Sequence, residues 1–157
     1  MNRDNLAYRR CVGLMIVNHE KKIFTAQRRD FRSEAWQMPQ GGIERGENLE
    51  EAAFRELTEE TSLTNKTVKI LAVSKRWINY DLPDPLIPKL WNGKYRGQKQ
   101  KWFLLEFLGA DKYINIDTNT PEFSDWRWST KEDLVKFIVP FKRDIYKKIL
   151  VEFAGFL

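Results

Sequence analysis

Gly41-Gly42-Ile43-Glu44-Arg45-Gly46-Glu47-Asn48-Leu49-Glu50-Glu51-Ala52-Ala53-Phe54-Arg55-Glu56-Leu57-Thr58-Glu59-Glu60-Thr61-Ser62-Leu63 decides how this chain folds. Asn48 is a favoured N-cap residue, and Glu51 three positions on completes a capping-box spacing. A helix is therefore predicted from Leu49, through Ala53 and Leu57, to about Leu63. Stepping about 100° per residue from Leu49, Glu60, Ala53 and Leu57 fall near 20°, 40° and 80°. Glu56 falls near −20° and Glu59 near −80°, whereas Glu51 and Arg55 lie at roughly 200° and 240°. Glu56, Glu59 and Glu60 thus share the edge of the apolar stripe. Like charges there are costly unless a cation or strong donors compensate them. A solvated face suits Glu50 and Glu51, but not those three.

The charge of the whole chain sharpens the contrast. Its 157 residues carry a formal charge of +5. Between Glu44 and Glu60, seven carboxylates face two arginines, so that segment is −5 and the remainder +10. Pro85 to Leu105 holds Lys89, Lys94, Arg96, Lys99 and Lys101 with no acid, and Lys142, Arg143, Lys147 and Lys148 form a second basic group. An acidic helix inside a basic protein suits a hard cation held against a polyanion. One cysteine excludes an internal disulfide and a Cys-based zinc site, and one histidine rules out most His-rich metal sites. Cys11 and His19 are read as incidental, and Lys147 and Lys148 as a solvated helix face. The length suits one domain, 1–157, and the apolar run Cys11–Val17 is too short to span a bilayer. The expectation is a single cytoplasmic domain that needs no membrane and no obligate protein partner.

Outward from the acidic helix, Cys11–Val17 and Lys21–Gln27 read as a strand hairpin turned at Asn18–Glu20. Ser33–Gly46 reads as loop, Val68–Ile78 as one strand, and Trp102–Leu108 as a buried strand in which Trp102 and Phe103 are core. Asp81–Gly97, rich in proline, reads as a long irregular connection. Trp126–Trp128 is a short strand whose Trp128 is core, Thr130 caps a brief helix, and Phe141–Phe153 is an amphipathic helix. The fold class is α+β, a mixed sheet flanked by helices.

Eight positions over 23 residues (Gly41, Glu47, Arg55, Glu56, Leu57, Glu59, Glu60 and Leu63) resemble the signature of the Nudix hydrolases. One departs: Ser62 stands where that family has glycine, at a helix end where a left-handed backbone costs serine about 1 kcal/mol. Trp36-Gln37-Met38-Pro39-Gln40-Gly41-Gly42, Gly97-Gln98-Lys99-Gln100-Lys101-Trp102-Phe103, Thr120-Pro121-Glu122-Phe123 and Phe141-Lys142-Arg143 look like the bacterial RNA pyrophosphohydrolases, also described as dinucleoside polyphosphate hydrolases or invasion-associated proteins. The likeness runs from Tyr8-Arg9 to Glu152-Phe153-Ala154.

That resemblance implies an α/β/α sandwich of the Nudix type and removal of pyrophosphate from the 5′ end of triphosphorylated RNA, which starts mRNA decay. It also implies a divalent cation, magnesium first and manganese or zinc as alternatives, bound by Glu56, Glu59, Glu60 and Glu122. Glu56 is the first choice of general base and Glu122 the second, with Arg55 holding the helix carboxylates in position. Arg9, Arg29, Phe141 and Lys142 fall around the 5′ phosphates and first bases. The Arg28–Ala35 loop is a residue longer than the pattern, which leaves the register at Arg29 open. The basic loop Leu90–Lys101, with Lys94 and Arg96, suits the RNA backbone. Phe141 either stacks on a base or staples its helix to the core. Three readings stand beside RNA: a dinucleoside polyphosphate hydrolase, a house-cleaning nucleoside triphosphatase, and a Nudix-fold binding module without turnover.

Overall fold

The computed structural model describes residues 3–30 and 34–157. Ser33, the first residue of the expected loop Ser33–Gly46, and part of Arg28–Ala35 lie outside the described residues. The strands are β1 (Ala7–Val17), β2 (Ile23–Arg28), β3 (Gln40–Gly42), β4 (Val68–Val73), β5 (Ile78–Asp81), β6 (Tyr95–Phe107) and β7 (Phe123–Ser129). The helices are α1 (Leu49–Thr61), α2 (Lys131–Lys136) and α3 (Arg143–Glu152). One mixed sheet runs β4-β6-β1-β2-β7, with β3 on β1 and β5 on β6. Its centre is the parallel pair β1–β6, from Ala7↔Tyr95 to Val17↔Glu106.

A central parallel strand is covered on both faces, which explains the unbroken apolar run at the end of β1. Val12, Leu14 and Ile16 enter one core with Phe103, Leu105 and the α1 residues Ala53 and Leu57. Met15 and Val17 enter the other with Trp102, Leu104 and the α3 residues Ile145 and Ile149. The sheet is thus sandwiched between α1 and the α2–α3 pair. Gly13 is required beside its cross-strand partner Trp102, because a Cβ there would run into the indole. Trp102 and Phe103 are buried as expected, and Trp128 packs on the core with its ring stacked on Phe107 at 5.7 Å.

Five sequence expectations change. The turn after β1 forms, with Asn18 Oδ1 accepting from the N–H groups of Glu20 and Lys22. The hairpin ladder, however, has only the register Val17↔Ile23, because β3 takes that edge of β1 at Cys11↔Gly42 to Gly13↔Gln40. Within Ser33–Gly46, then, Gln40–Gly42 is strand, and β2 turns away to pair with β7. Val68–Ile78 is broken at buried Ser74, whose N–H donates to the Trp102 carbonyl and whose hydroxyl accepts from the Trp102 N–H. The chain turns there and re-pairs with β6 as β5.

The irregular connection also ends earlier than Gly97, since β6 begins at Tyr95 after two 3₁₀ turns, Asp84–Lys89 and Trp91–Gly93. Finally, Phe141 lies on a 3₁₀ turn, Pro140–Lys142, and the α-helix proper starts at Arg143. Among the described residues no helix is long and apolar enough to cross a membrane.

Candidate active site

The capping box at Asn48 and Glu51 forms with both hydrogen bonds, at 2.8 and 3.3 Å, and fixes where α1 starts. At the other end Ser62 adopts the left-handed conformation (φ 67°) that the missing glycine would favour. Its hydroxyl donates to the Asn115 carbonyl at 2.8 Å, which offsets part of the backbone cost.

Between these ends Arg55 gathers the acidic side chains. Its guanidinium donates to both oxygens of Glu47 (2.7 and 2.9 Å), to the Gly42 carbonyl (2.7 Å), to Glu56 Oε1 (2.9 Å) and to Glu59 Oε2 (3.3 Å). The Arg55 guanidinium holds the Glu47 carboxyl below its ordinary range, helped by the Glu44 N–H. Gly41 leaves room for the Glu56 carboxylate, in space that a Cβ would occupy. The Gly41-Gly42 pair, on β3, thereby pins one end of the carboxylate set to the sheet.

Glu56 and Glu60 are buried, and burial raises both carboxyls above the ordinary range. Arg55 opposes that shift at Glu56. At Glu60 the carboxylates of Glu56 and Glu122 raise it further. No donor group meets either Glu60 oxygen; only the carboxyls of Glu56 and Glu122 come within hydrogen-bonding reach, which requires a proton to be shared among them. Glu122 comes from the loop before β7, where its carbonyl accepts the Arg29 N–H at 2.8 Å. Glu59 departs from the helical wheel: its side chain is 54% exposed and leans along Arg55 instead of the apolar edge. Among the described residues no three acidic, histidine or cysteine side chains already form a metal cluster. A buried carboxylate without donors, flanked by two others, nevertheless has the chemistry that a divalent cation satisfies. Nudix hydrolases use divalent metal cations.

Beside the carboxylates opens a cleft of about 400 Å³, walled by Arg9, Arg28, Gln40, Gln98, Tyr80, Leu86, Trp91, Phe141 and Lys142. The Arg9 guanidinium lies 5.1 Å from the Trp91 ring centroid. Phe141 is half-buried against Tyr80, with centroids 6.0 Å apart. Lys142 is buried, and desolvation, reinforced by Arg28, pushes its ammonium down to about 8. A second cavity of about 500 Å³ shares Arg9, Gly42 and Glu56 with the first and is lined further by Tyr8, Arg10, Arg55, Glu59 and Tyr95. The two spaces meet at the carboxylates.

The structure brings Arg9, Phe141 and Lys142 to the cleft with Glu56 and Glu122. It does not bring Arg29, Lys94 or Arg96 there. Arg29 is exposed, and its neighbour Arg28 lines the cleft instead, paired with Asp30 at 2.6 Å. Lys94 is exposed at a turn. Arg96 is committed to Asp81 at 3.0 Å and Asp4 at 3.7 Å, over the Tyr8 ring. Sequence reasoning missed Tyr80, which carried no local signal, and Arg28, which only the open register hinted at; Trp91 belongs to the aromatic-laced loop Leu90–Lys101 expected to meet RNA, and it does line the cleft. Cys11 is buried, with its thiol pushed up to about 11, and exposed His19 lies beside Glu20.

The NUDIX domain family matches residues 7–149, so the chain belongs to the Nudix family. Among its relatives is an RNA pyrophosphohydrolase of Roseobacter denitrificans, 54% identical, with 97% of this chain and 95% of that protein covered. Another, from Wolbachia pipientis, is 50% identical with coverages of 100% and 96%. The fold resembles a C. elegans Ap4A hydrolase (21% identity, TM-score 0.66, 93% and 99% covered). It also resembles the E. coli dihydroneopterin triphosphate pyrophosphohydrolase (18% identity, TM-score 0.66, 92% and 98% covered).

Proposed function

We propose that this chain is a magnesium-dependent RNA 5′ pyrophosphohydrolase, acting as one catalytic domain in the cytoplasm at the start of mRNA decay, with manganese or zinc able to replace magnesium. The observation that carries the reading is Glu60, buried without a donor between Glu56 and Glu122 at the junction with a cationic, aromatic cleft. Glu56, Glu59, Glu60 and Glu122 would hold the cation. When bound, it neutralises phosphate charge and makes water a better nucleophile at neutral pH.

Arg55 keeps the carboxylates of Glu47, Glu56 and Glu59 in one orientation. Glu56, whose carboxyl burial already raises, accepts the proton of the attacking water. Water's oxygen bonds to a phosphorus of the triphosphate, one phosphoanhydride bond breaks, and pyrophosphate leaves a 5′-monophosphate end. Arg9 and Lys142 meet the phosphates, and Phe141 offers a ring to a base. Turnover, and not binding alone, accords with relatives at about half identity that are named as hydrolases.

Two cavities meeting at Glu56 also suit a dinucleoside polyphosphate, with one nucleoside in each. The test is competition in magnesium between 5′-triphosphorylated RNA and diadenosine tetraphosphate, with RNA ends scored by a monophosphate-dependent exonuclease. The expected outcome is higher kcat/KM on RNA. Turnover of the dinucleotide with none on RNA would transfer the assignment to that second reading, and turnover only of free nucleoside triphosphates would transfer it to a house-cleaning role.

A further inference from the structure

We propose that an open part of the sheet, centred on Trp77, carries the single-stranded RNA that follows the 5′ end. This rests on the RNA reading above and concerns a surface outside the carboxylate site and its cleft.

Arg10 of β1, Lys99 of β6 and Asn79 of β5 stand side by side in the ladder, as Arg10↔Lys99 and Asn79↔Lys99. Trp77, in the turn before β5, collects three cations over its ring: Arg10 at 5.2 Å, Lys99 at 4.9 Å and Lys101 at 5.8 Å. Lys101 is used internally, donating to the Ser74 and Lys75 carbonyls and so fixing the turn that presents Trp77. Among the described residues no carboxylate pairs with Arg10, Lys99 or Lys101.

Like charges placed opposite one another across strands repel. A fold that keeps three cations around one half-buried indole therefore has an anion to gain there. The indole adds what a simple anion would not need, a π-face on which a base can stack. Cations and an aromatic on an open sheet, without apolar enclosure, suit a single-stranded polyanion with unpaired bases.

The connection to the reacting end is direct. Arg10 lines the same cavity as Glu56, Glu59, Tyr8 and Tyr95. The Arg10 carbonyl also accepts the Ile43 N–H at 3.0 Å, next to the Gly41-Gly42 cradle. A chain leaving the carboxylates along that cavity reaches Arg10, whose guanidinium lies over Trp77.

The experiment compares two substrates and one ligand. KM is measured on a triphosphorylated dinucleotide and on a single-stranded RNA of about ten nucleotides. Binding of a 5′-hydroxyl RNA of the same length, which the active site cannot hydrolyse, is followed by fluorescence anisotropy. The variants are Lys99→Glu and Trp77→Ala, with Trp77→Phe retaining a ring, and melting curves exclude misfolding. Lys99→Glu should raise KM on the longer RNA roughly 10-fold, leave the dinucleotide within about twofold, and flatten the salt dependence of binding. Trp77→Ala should weaken 5′-hydroxyl RNA roughly 5-fold or more, and Trp77→Phe should restore most of it.

Equal losses on both substrates, or none on the longer one, would overturn the platform, as would duplex RNA or an acidic peptide competing as well as the single strand. If the longer RNA binds through Lys99 and Trp77 but no triphosphorylated end is hydrolysed, the catalytic reading fails alone. If turnover is intact and 5′-hydroxyl RNA does not bind, this inference fails alone.

Discussion

Glu60 and Lys142 stand at the two sides of one site and are buried with opposite consequences. Burial raises the Glu60 carboxyl, with Glu56 and Glu122 adding to it, and lowers the Lys142 ammonium, with Arg28 adding to it. In each case the charged neighbours that act on the group most strongly make the shift worse instead of relieving it. A protein optimised only for stability would pair such groups or replace them. On one side the missing partner is a cation; on the other it is an anion. Arg28 acts on Glu60 and Glu122, and the Tyr80 and Phe141 rings lie 5.5 and 6.0 Å from the Lys142 ammonium; under the function proposed above, a metal-bound polyphosphate would complete the compensation on both sides.

The largest effect should come from the acidic side. Glu59→Gln or Glu60→Gln should lower kcat by on the order of 10³-fold or more, with circular dichroism unchanged. Glu60→Gln should also raise the metal-free melting temperature, since it removes a buried charge without donors, and excess magnesium should shrink that advantage. Near-normal turnover of either folded variant would break the comparison at its acidic end.

The cationic side predicts a pH dependence. The folded-state pKa of Lys142 is about 8, against an ordinary 10.5, so the unfolded chain holds this proton more tightly. Its cost to stability is then full below pH 8, declines as pH rises from 8 to 10.5, and vanishes above. Lys142→Met should gain on the order of 3 kcal/mol at most at pH 7 and nothing near pH 11, in urea titrations at both values. A bound polyphosphate should lift the lysine's pKa, so KM on triphosphorylated RNA should rise as pH passes 8. A flat profile would mean that Lys142 does not meet the substrate.

Phe141 sharpens the same side. It is half-buried against Tyr80 and also lines the cleft, so it packs and faces a ligand at once. Stacking is worth ~1–3 kcal/mol, so Phe141→Ala should cut kcat/KM on triphosphorylated RNA by roughly 5- to 150-fold. A small triphosphate that makes no stack should lose much less. Equal losses on both, with a lower melting temperature, would make Phe141 a packing residue only. The smallest effect is at Ser62: Ser62→Gly relieves the left-handed backbone but loses the Asn115 hydrogen bond, so stability should change by less than about 1 kcal/mol.

The acidic side was legible in the sequence because its parts are local. Asn48 and Glu51 set where the helix begins, and 3.6 residues per turn then bring Glu56 and Glu60 together whatever surrounds them. The wheel misjudged Glu59 for a reason it could not contain. Arg55 is held by Glu47 and the Gly42 carbonyl, both outside the helix, and draws Glu59 outward.

Beyond that helix, tertiary structure decided. Arg28 rather than Arg29 enters the cleft because β2 pairs with β7, with a register shift between Gln27 and Arg28. Arg96 drops out of the expected RNA track because β5 brings Asp81 beside it. Trp77 meets Lys99 and Lys101 through the antiparallel β5–β6 pairing, and Arg10 joins them through a parallel pairing of strands some 90 residues apart in the chain. Parallel pairing is fixed by which faces of two strands are buried, and each strand's own residues are silent about its partner. The sequence by itself therefore determined the capped helix and its carboxylates. Strand register decided which cations and aromatics stand around them.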